Sequence, residues 1–490
     1  MPTATGLGSG IDIEALVTGL VAAERVPQET TITNRTIKTN SLLSGLGSLK
    51  STLTDVKSTL TTLKDADTFG SVTTSSSSAS TATITAAAGT PVGNYDLTVS
   101  SLASAQSIVS SGYASTSTAV GTGTLTISFG TPTYQSSPND TKYASFTADG
   151  SRSSVSVAIT SANDELSQVR DAINAATDEV TASLVKDGTQ YKLMLTSNTA
   201  GLANSLSVSV SSDGDANDTD TGGLSALSFD ATTSNLTQTK AGADAAFVLN
   251  GMSLTASSNS VVDVISGVTL NLFSTTSSSV TLSVIQDDTS ITSAIKDYVT
   301  KFNAYITTLA PLTSYDVATG TKGALFGDFT TRSIMNAVRG QLSATIASAS
   351  GSYSALSQVG LTTQADGTIK FDETVFNSAL ASDRNSVKNL FLDRTTGDTT
   401  LAGFSSTLET AIDGFVSTTG RIADRESGLN VTLKDIAEDQ TKLDNSMSAL
   451  EARYRQQFTT MDILIAEMTS TQDYLKAQLD ALPGFVQKKD

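Results

Sequence analysis

The 490-residue sequence contains no cysteine, no histidine and no tryptophan. Without cysteine there is no disulfide, no thiolate nucleophile and no cysteine-ligated zinc. Without histidine the commonest general base and the commonest metal ligand are missing. The sequence therefore points away from an enzyme and implies no cofactor. Basic residues are scarce: 30 Lys and Arg stand against 48 Asp and Glu, a formal net charge of −18. A phosphate backbone would be repelled and no basic stripe offsets this, which argues against nucleic acid as a partner. No apolar run reaches the ~18 residues of a membrane span, so no membrane insertion is expected. The first charged residue is Asp12, and Gly8 and Gly10 interrupt the opening stretch. No cleavable signal peptide is expected there.

What is present starts with a heptad seam at the C-terminal end. Leu429, Leu433, Ile436, Gln440, Leu443, Met447, Leu450, Tyr454, Gln457, Met461, Leu464, Met468, Thr471, Leu475, Gln478 and Leu482 follow a 4-3 spacing. No proline interrupts it before Pro483. Such a run reads as a coiled-coil helix about 80 Å long. Each large apolar side chain left in water forgoes ~1.5–3 kcal/mol, so the seam requires a partner.

The N-terminal end offers one. Leu42, Leu46, Leu49, Leu53, Val56, Leu60 and Leu63 repeat the spacing, and Ile13, Leu16 and Leu20 make a shorter amphipathic stretch. Asp12 is placed to cap that stretch, and Pro27 is expected to end or kink it near Val26. Residues 11–63 and 429–482 match in length, which predicts an antiparallel pairing of one against the other.

Between the ends the apolar period changes from heptad to two. Tyr95, Leu97 and Val99 alternate, as do Leu125, Ile127 and Phe129, and Val155, Val157 and Ile159. These are half-buried strands. Asp187-Gly188 and Asn250-Gly251 read as hairpin turns. Leu166, Val169 and Ile173 predict one helix among them. The run Thr73–Ser78 reads as a linker. Helix returns over Ile291–Leu309, Arg332–Ala347 and Glu373–Leu380, with a short hairpin at Asp366-Gly367. The fold class is α+β and multidomain: an antiparallel coiled-coil and helix-bundle stalk built from both chain ends, with two inserted antiparallel β-rich head domains. The expected boundaries are 1–40 with 450–490 for a terminal leg domain and 41–70 with 290–449 for a helix bundle. One β-rich head covers 71–119 with 240–289, and a distal one covers 120–239.

Few constellations suggest chemistry. Asp213, Asp215, Asn217, Asp218 and Asp220 faintly resemble a calcium loop, but the sixth and twelfth positions are Asp218 and Leu224 instead of Gly and Glu. They read as a solvated loop. Asp12 with Glu14, and Asp287 with Asp288, sit at predicted helix starts, where capping explains them. Gly6, Gly8 and Gly10 lack the preceding strand and following lysine of a phosphate loop.

The opening Gly6-Leu7-Gly8-Ser9-Gly10-Ile11-Asp12-Ile13, followed by Ala22-Ala23-Glu24-Arg25-Val26-Pro27, resembles the start of the bacterial flagellar filament cap family (flagellar hook-associated protein 2). So do Gly93-Asn94-Tyr95-Asp96-Leu97-Thr98-Val99 and, near the end, Arg453-Tyr454-Arg455-Gln456-Gln457-Phe458 with Ser470-Thr471-Gln472-Asp473-Tyr474-Leu475. The stretch Ala245–Gly251, continuing to Val264–Leu270, is similar to the motif this family shares with other hook and filament proteins. The resemblance implies a non-enzymatic cap at the filament tip, exported unfolded through the flagellar type III channel and therefore extracellular. It implies a homo-oligomeric ring of five or six subunits, flagellin as partner and an export chaperone. The Ser/Thr-rich middle adds host glycans as a further partner. The oligomer and flagellin interface is expected at Leu7, Ile11, Ile13, Leu16, Leu20, Leu450, Tyr454, Phe458, Met461, Leu464, Met468, Tyr474 and Leu475. A hook–filament junction protein is the alternative, having similar helical ends.

Overall fold

The computed structural model describes residues 10, 12–135 and 142–481. The chain divides into two units, one formed by residues 1–66 with 289–490 and the other by residues 67–288. Eight α-helices are present among the described residues: α1 (Ile13–Leu63), α2 (Ala66–Gly70), α3 (Leu166–Ala176), α4 (Asp288–Thr313), α5 (Phe329–Ser343), α6 (Glu373–Phe391), α7 (Phe404–Val416) and α8 (Arg421–Asp480).

In the first unit α1 begins as expected. The Asp12 carboxylate accepts the Ala15 N–H at 2.9 Å and so caps an otherwise unpaired donor. The helix does not stop at Pro27 but runs through it. The residue that loses its hydrogen bond to a proline is the one four before it, Ala23, and both Ala23 and Pro27 are exposed. The freed carbonyl lies on the exposed face of the helix, where solvent can satisfy it, so the interruption is tolerated. Further along, Leu46, Leu49, Leu53, Val56, Leu60 and Leu63 are buried.

On α8 the buried apolar residues are Ile422, Leu429, Ile436, Leu443 and Met447. The first four are seven residues apart, so the seam begins one heptad earlier than the Leu429 start expected from sequence. Around this pair, α4 supplies a fully buried aromatic ridge of Tyr298, Phe302 and Tyr305. Tyr298 meets Phe404 of α7 edge to face with ring centroids 5.7 Å apart. The helix predicted at Glu373–Leu380 continues to Phe391, but Asp383 breaks it with φ −154°. Asp383 then caps the second half, accepting the Ser386 N–H at 3.0 Å. The hairpin at Gly367 forms, pairing Leu361–Thr363 with Ile369–Phe371.

The second unit is built of antiparallel sheets around two hydrophobic clusters. One cluster gathers Ile84, Leu97, Val99, Phe247, Leu270, Leu282 and their neighbours. Its five-stranded sheet runs in the order Val72–Ser76, Val280–Gln286, Gly93–Ser101, Ala245–Leu249, Met252–Ala256. The segment read as a linker is thus the edge strand Val72–Ser76, paired in full with Val280–Gln286. Its Thr side chains are β-branched and fit a pleated edge, and Thr74 Oγ1 donates to the Ile84 carbonyl at 2.7 Å. The turn at Asn250-Gly251 is as expected, with φ +47° and +82° joining Leu249 to Met252. In the other hairpin Asp187 is still paired, with Gln190, so the turn residues are Gly188 and Thr189.

The other cluster gathers Leu125, Ile127, Phe129, Tyr143, Leu166, Val169, Ile173, Leu193, Leu206 and Phe229. The chain enters this cluster's region through Ser107–Val109 and leaves through Thr237–Lys240, and these two short strands pair with each other. A buried amide pins that crossing. Gln106 Oε1 accepts the Leu206 N–H at 2.6 Å, and Nε2 donates to Gln238 Oε1 at 2.6 Å and to the Tyr143 hydroxyl at 2.5 Å. Tyr143 donates in turn to the Leu206 carbonyl at 2.9 Å. Both polar atoms of the Gln106 side chain are satisfied, so replacing it strands several buried partners. Gln106→Leu should destabilise the unit by about 2–4 kcal/mol. Urea unfolding followed by circular dichroism checks this, and an unchanged midpoint would show that the network carries no stability.

Candidate functional site

The interface residues expected from sequence lie along α1 and α8, and the register between these helices decides which of them are free. Six ion pairs fix it. Glu14 pairs with Arg455, Arg25 with Asp444 at 2.6 Å and Arg35 with Asp439 at 2.8 Å. Lys50 pairs with Glu426 at 3.1 Å, while Lys57 and Lys64 pair with Asp413 and Glu409 of α7, both at 2.5 Å. Partner numbers fall as α1 numbers rise, so the helices are antiparallel. Five of the pairs place the base on α1 and the acid opposite. Only the Glu14–Arg455 pair reverses the polarity, and a shifted register would set like charges together.

This register corrects the pairing of 11–63 with 429–482. The last turns of α1 pack on α7, and the described part of α1 ends its run on α8 near Arg455. The equal lengths misled because α8 starts earlier than the seam suggested and α7 continues the surface that α8 leaves. The consequence lies at the other end of α8. From Met461 to Leu479, about 27 Å of helix at 1.5 Å per residue, it has no partner in α1.

The expected residues fall into three groups. Leu7 and Ile11 lie outside the described residues. Ile13 is buried, and Leu450, Tyr454 and Phe458 are half-buried in the α1–α8 contact, with the Tyr454 and Phe458 rings 6.3 Å apart. Leu16, Leu20, Met461, Leu464, Met468, Tyr474 and Leu475 are exposed, Met468 by 65%. Leu464, Met468, Leu475 and Leu479 share one face of α8 and line an open apolar groove with Ile465 and Thr471. Leu479 and Ile463 are as exposed as their neighbours and were not expected. Leu479, four residues after Leu475, could have been read from helical spacing had Gln478 not held the heptad position.

Contiguous large apolar side chains on a solvent-facing helix mark a contact surface. With no gathered titratable groups, the face is suited to binding another helix rather than to chemistry. Among the described residues no group of three acidic, His or Cys side chains is placed to hold a metal, and no helix is long and apolar enough to cross a membrane.

Regions of the chain match known protein families. Residues 9–106 match the flagellar hook-associated protein 2 N-terminus and residues 242–470 its C-terminus. Residues 145–199 match the flagellin hook IN motif. That motif falls on the region of α3 and its flanking strands, while the stretch 245–270 lies within the match to the hook-associated protein 2 C-terminus. Flagellar hook-associated protein 2 of Escherichia coli K12 is 33% identical, covering 97% of each chain. The A-type flagellar hook-associated protein 2 of Pseudomonas aeruginosa is 30% identical, covering 99% of each. The crystal structure of the D1-D2-D3 domains of the flagellar cap protein FliD from Escherichia coli superposes with a TM-score of 0.66 at 32% identity, covering 79% of this chain and 99% of that one.

Two predictions separate the packed and open parts of the helices. Leu53→Ala, at a fully buried position, should cost about 2–5 kcal/mol, whereas Leu475→Ala should change stability by less than ~0.5 kcal/mol. Thermal melts of the two variants measure both, and equal losses would place Leu475 in a core. Acid sensitivity follows from the pairs. The hydrogen bond from Arg35 holds the Asp439 carboxyl below its ordinary pKa. Its folded pKa being lowered, its contribution is present above the unfolded value of about 4 and disappears as pH falls through the lowered one. Replacing Asp439 with Asn should therefore lower the melting temperature at pH 7 and leave it unchanged near pH 2.

Proposed function

We infer the function from one premise: the chain belongs to the flagellar hook-associated protein 2 family. It is a structural protein of the bacterial flagellum that caps the filament, where it holds arriving flagellin while the filament elongates. The observation that carries this is the 33% identity sustained across 97% of both chains. The matched relatives are hook-associated protein 2 and the solved structure is a cap protein, which favours the cap over a hook–filament junction protein.

In this reading the subunits form a ring of five or six, and no catalysis takes part. The chain leaves the cell through the flagellar export channel with the help of a chaperone. Residues 1–40 with 450–490 make the leg, 41–70 with 290–449 the bundle, and 71–119 with 240–289 and 120–239 the two heads. The open face of α8 supports this assignment of the leg, because the apolar side chains of Leu464, Met468 and Leu475 are exposed among the described residues. Neighbouring subunits and flagellin cover this face, with Met461 and Tyr474 at its borders and Leu16 and Leu20 extending the interface along α1. Leu7 and Ile11 belong to the same proposed interface. The heads carry the Ser/Thr-rich surface on which a glycan contact would be sought.

A strain lacking the gene should release monomeric flagellin into the medium and carry no filaments. Wild-type protein should restore filaments, and the triple variant Leu464→Asp, Met468→Asp, Leu475→Asp should fold yet fail to restore them. Normal filaments in the deletion strain would end the cap reading. Restoration by the triple variant would instead remove α8 from the interface.

A further inference from the structure

The acidic loop after the strand Ser205–Ser211 is exposed over residues 214–219, as its composition suggests, but its first acid is buried. Asp213 is 5% exposed. Its Oδ2 accepts the Ser225 N–H at 2.6 Å, while its Oδ1 is buried and has no hydrogen-bond partner among the described residues. A buried carboxylate oxygen without donor or cation is expensive, and native folds rarely leave one so. No base is at hand in the sequence: residues 193–239 contain five Asp and no Lys or Arg. None of the five forms an ion pair among the described residues.

The loop turns its acids onto one dipeptide. A Cβ on Gly223 would stand 2.5 Å from Asp213 Oδ1. A Cβ on the adjacent Gly222 would stand 3.3 Å from Asp215 Oδ2 and 3.5 Å from Asp220 Oδ1. A side chain at Gly223 would collide with the buried Asp213 carboxylate, one at Gly222 would be tight, and Gly223, at φ +53°, also needs the left-handed conformation. Three carboxylates thus face the same two glycines, and the one held rigidly by burial presents an unused oxygen.

We propose that this loop binds a calcium-class divalent cation, with Asp213 Oδ1 as its fixed ligand and Asp215 and Asp220 closing on the ion. Among the described residues no three acids already converge tightly enough to hold a metal, so the ion completes the site rather than entering a finished one. Calcium suits this better than magnesium, because it accepts six to eight oxygens in irregular geometry and readily takes carbonyls and water alongside carboxylates. A site assembled on binding belongs to the weak class, with a dissociation constant of about 0.1–1 mM.

The test is isothermal titration calorimetry of the full-length, chelator-stripped chain with calcium chloride, at ionic strength fixed with sodium chloride. Thermal melts in 5 mM calcium, 5 mM magnesium or matched sodium chloride accompany it. The expected result is one calcium site and a melting temperature raised by ~2–4 °C over the sodium control, with a smaller rise in magnesium. Asp213→Asn should abolish the heat. The pair Asp215→Asn, Asp220→Asn should weaken binding at least tenfold and keeps the test decisive if Asp213→Asn does not fold. Asp230→Asn, in the same base-free stretch but outside the loop, should bind like wild type. No calcium heat in the wild-type chain, or unchanged affinity in the double variant, overturns the proposal.

Discussion

The constraint on which the first unit depends is the antiparallel contact between α1 and the seam formed by α7 and α8. Two helices with leucine-rich stripes cannot remain apart in water, because each exposed leucine forgoes ~1.5–3 kcal/mol. Joining them brings together segments more than 400 residues apart in sequence, such as Arg25 and Asp444. Residues 67–288 then form an insertion in the chain of that helical unit. The charge pattern selects among the registers that the hydrophobic stripe alone would allow, since leucine packs against leucine at any shift of seven while Arg35 finds Asp439 only at one. Exposed pairs of this kind add ~0–1 kcal/mol each, so their effect is on register more than on stability.

The same register explains why the helical unit has an open end. Once Glu14 meets Arg455, the face of α8 beyond Met461 has nothing from α1 to cover it. A buried seam and an exposed stripe are therefore two stretches of one continuous pattern, separated by where the partner stops. The first packs against α1, and the second is the surface proposed above for contacts with other chains. In the β unit the corresponding device is polar: Gln106 and Gln238 close the crossing into the core around Phe129, with both polar atoms of the Gln106 amide side chain paired.

Much of this was legible in the sequence because long periodic patterns report burial directly. The heptads gave both long helices, the alternation at Leu125, Ile127 and Phe129 gave a strand with all three buried, and Asn250-Gly251 gave its turn. Other features depend on partners that a local pattern does not contain. Thr73–Ser78 looked like a linker because its polarity was visible and its pairing with Val280–Gln286 was not. Pro27 was given too much weight because the exposure of Ala23 is a tertiary property. The helix pairing was misjudged because a heptad repeat states that a partner exists without stating where it begins. Asp213 could not be distinguished from its exposed neighbours, since its burial comes from the Gly222–Ser225 segment folding over it. The candidate interface was legible as a list of apolar positions, but its division into buried Ile13 and open Met468 required the register.

The central claim is that α8 carries a packed seam up to about Phe458 and an open, assembly-competent face beyond Met461. Hydrogen–deuterium exchange on the full-length chain, alone at low concentration and then with polymerising flagellin, tests it most directly. The account predicts strong protection at 429–450 in both states, with fast exchange at 461–479 in the free chain that becomes slow on assembly. Equal protection of both segments in the free chain, or a 461–479 segment whose exchange assembly leaves unchanged, would contradict it.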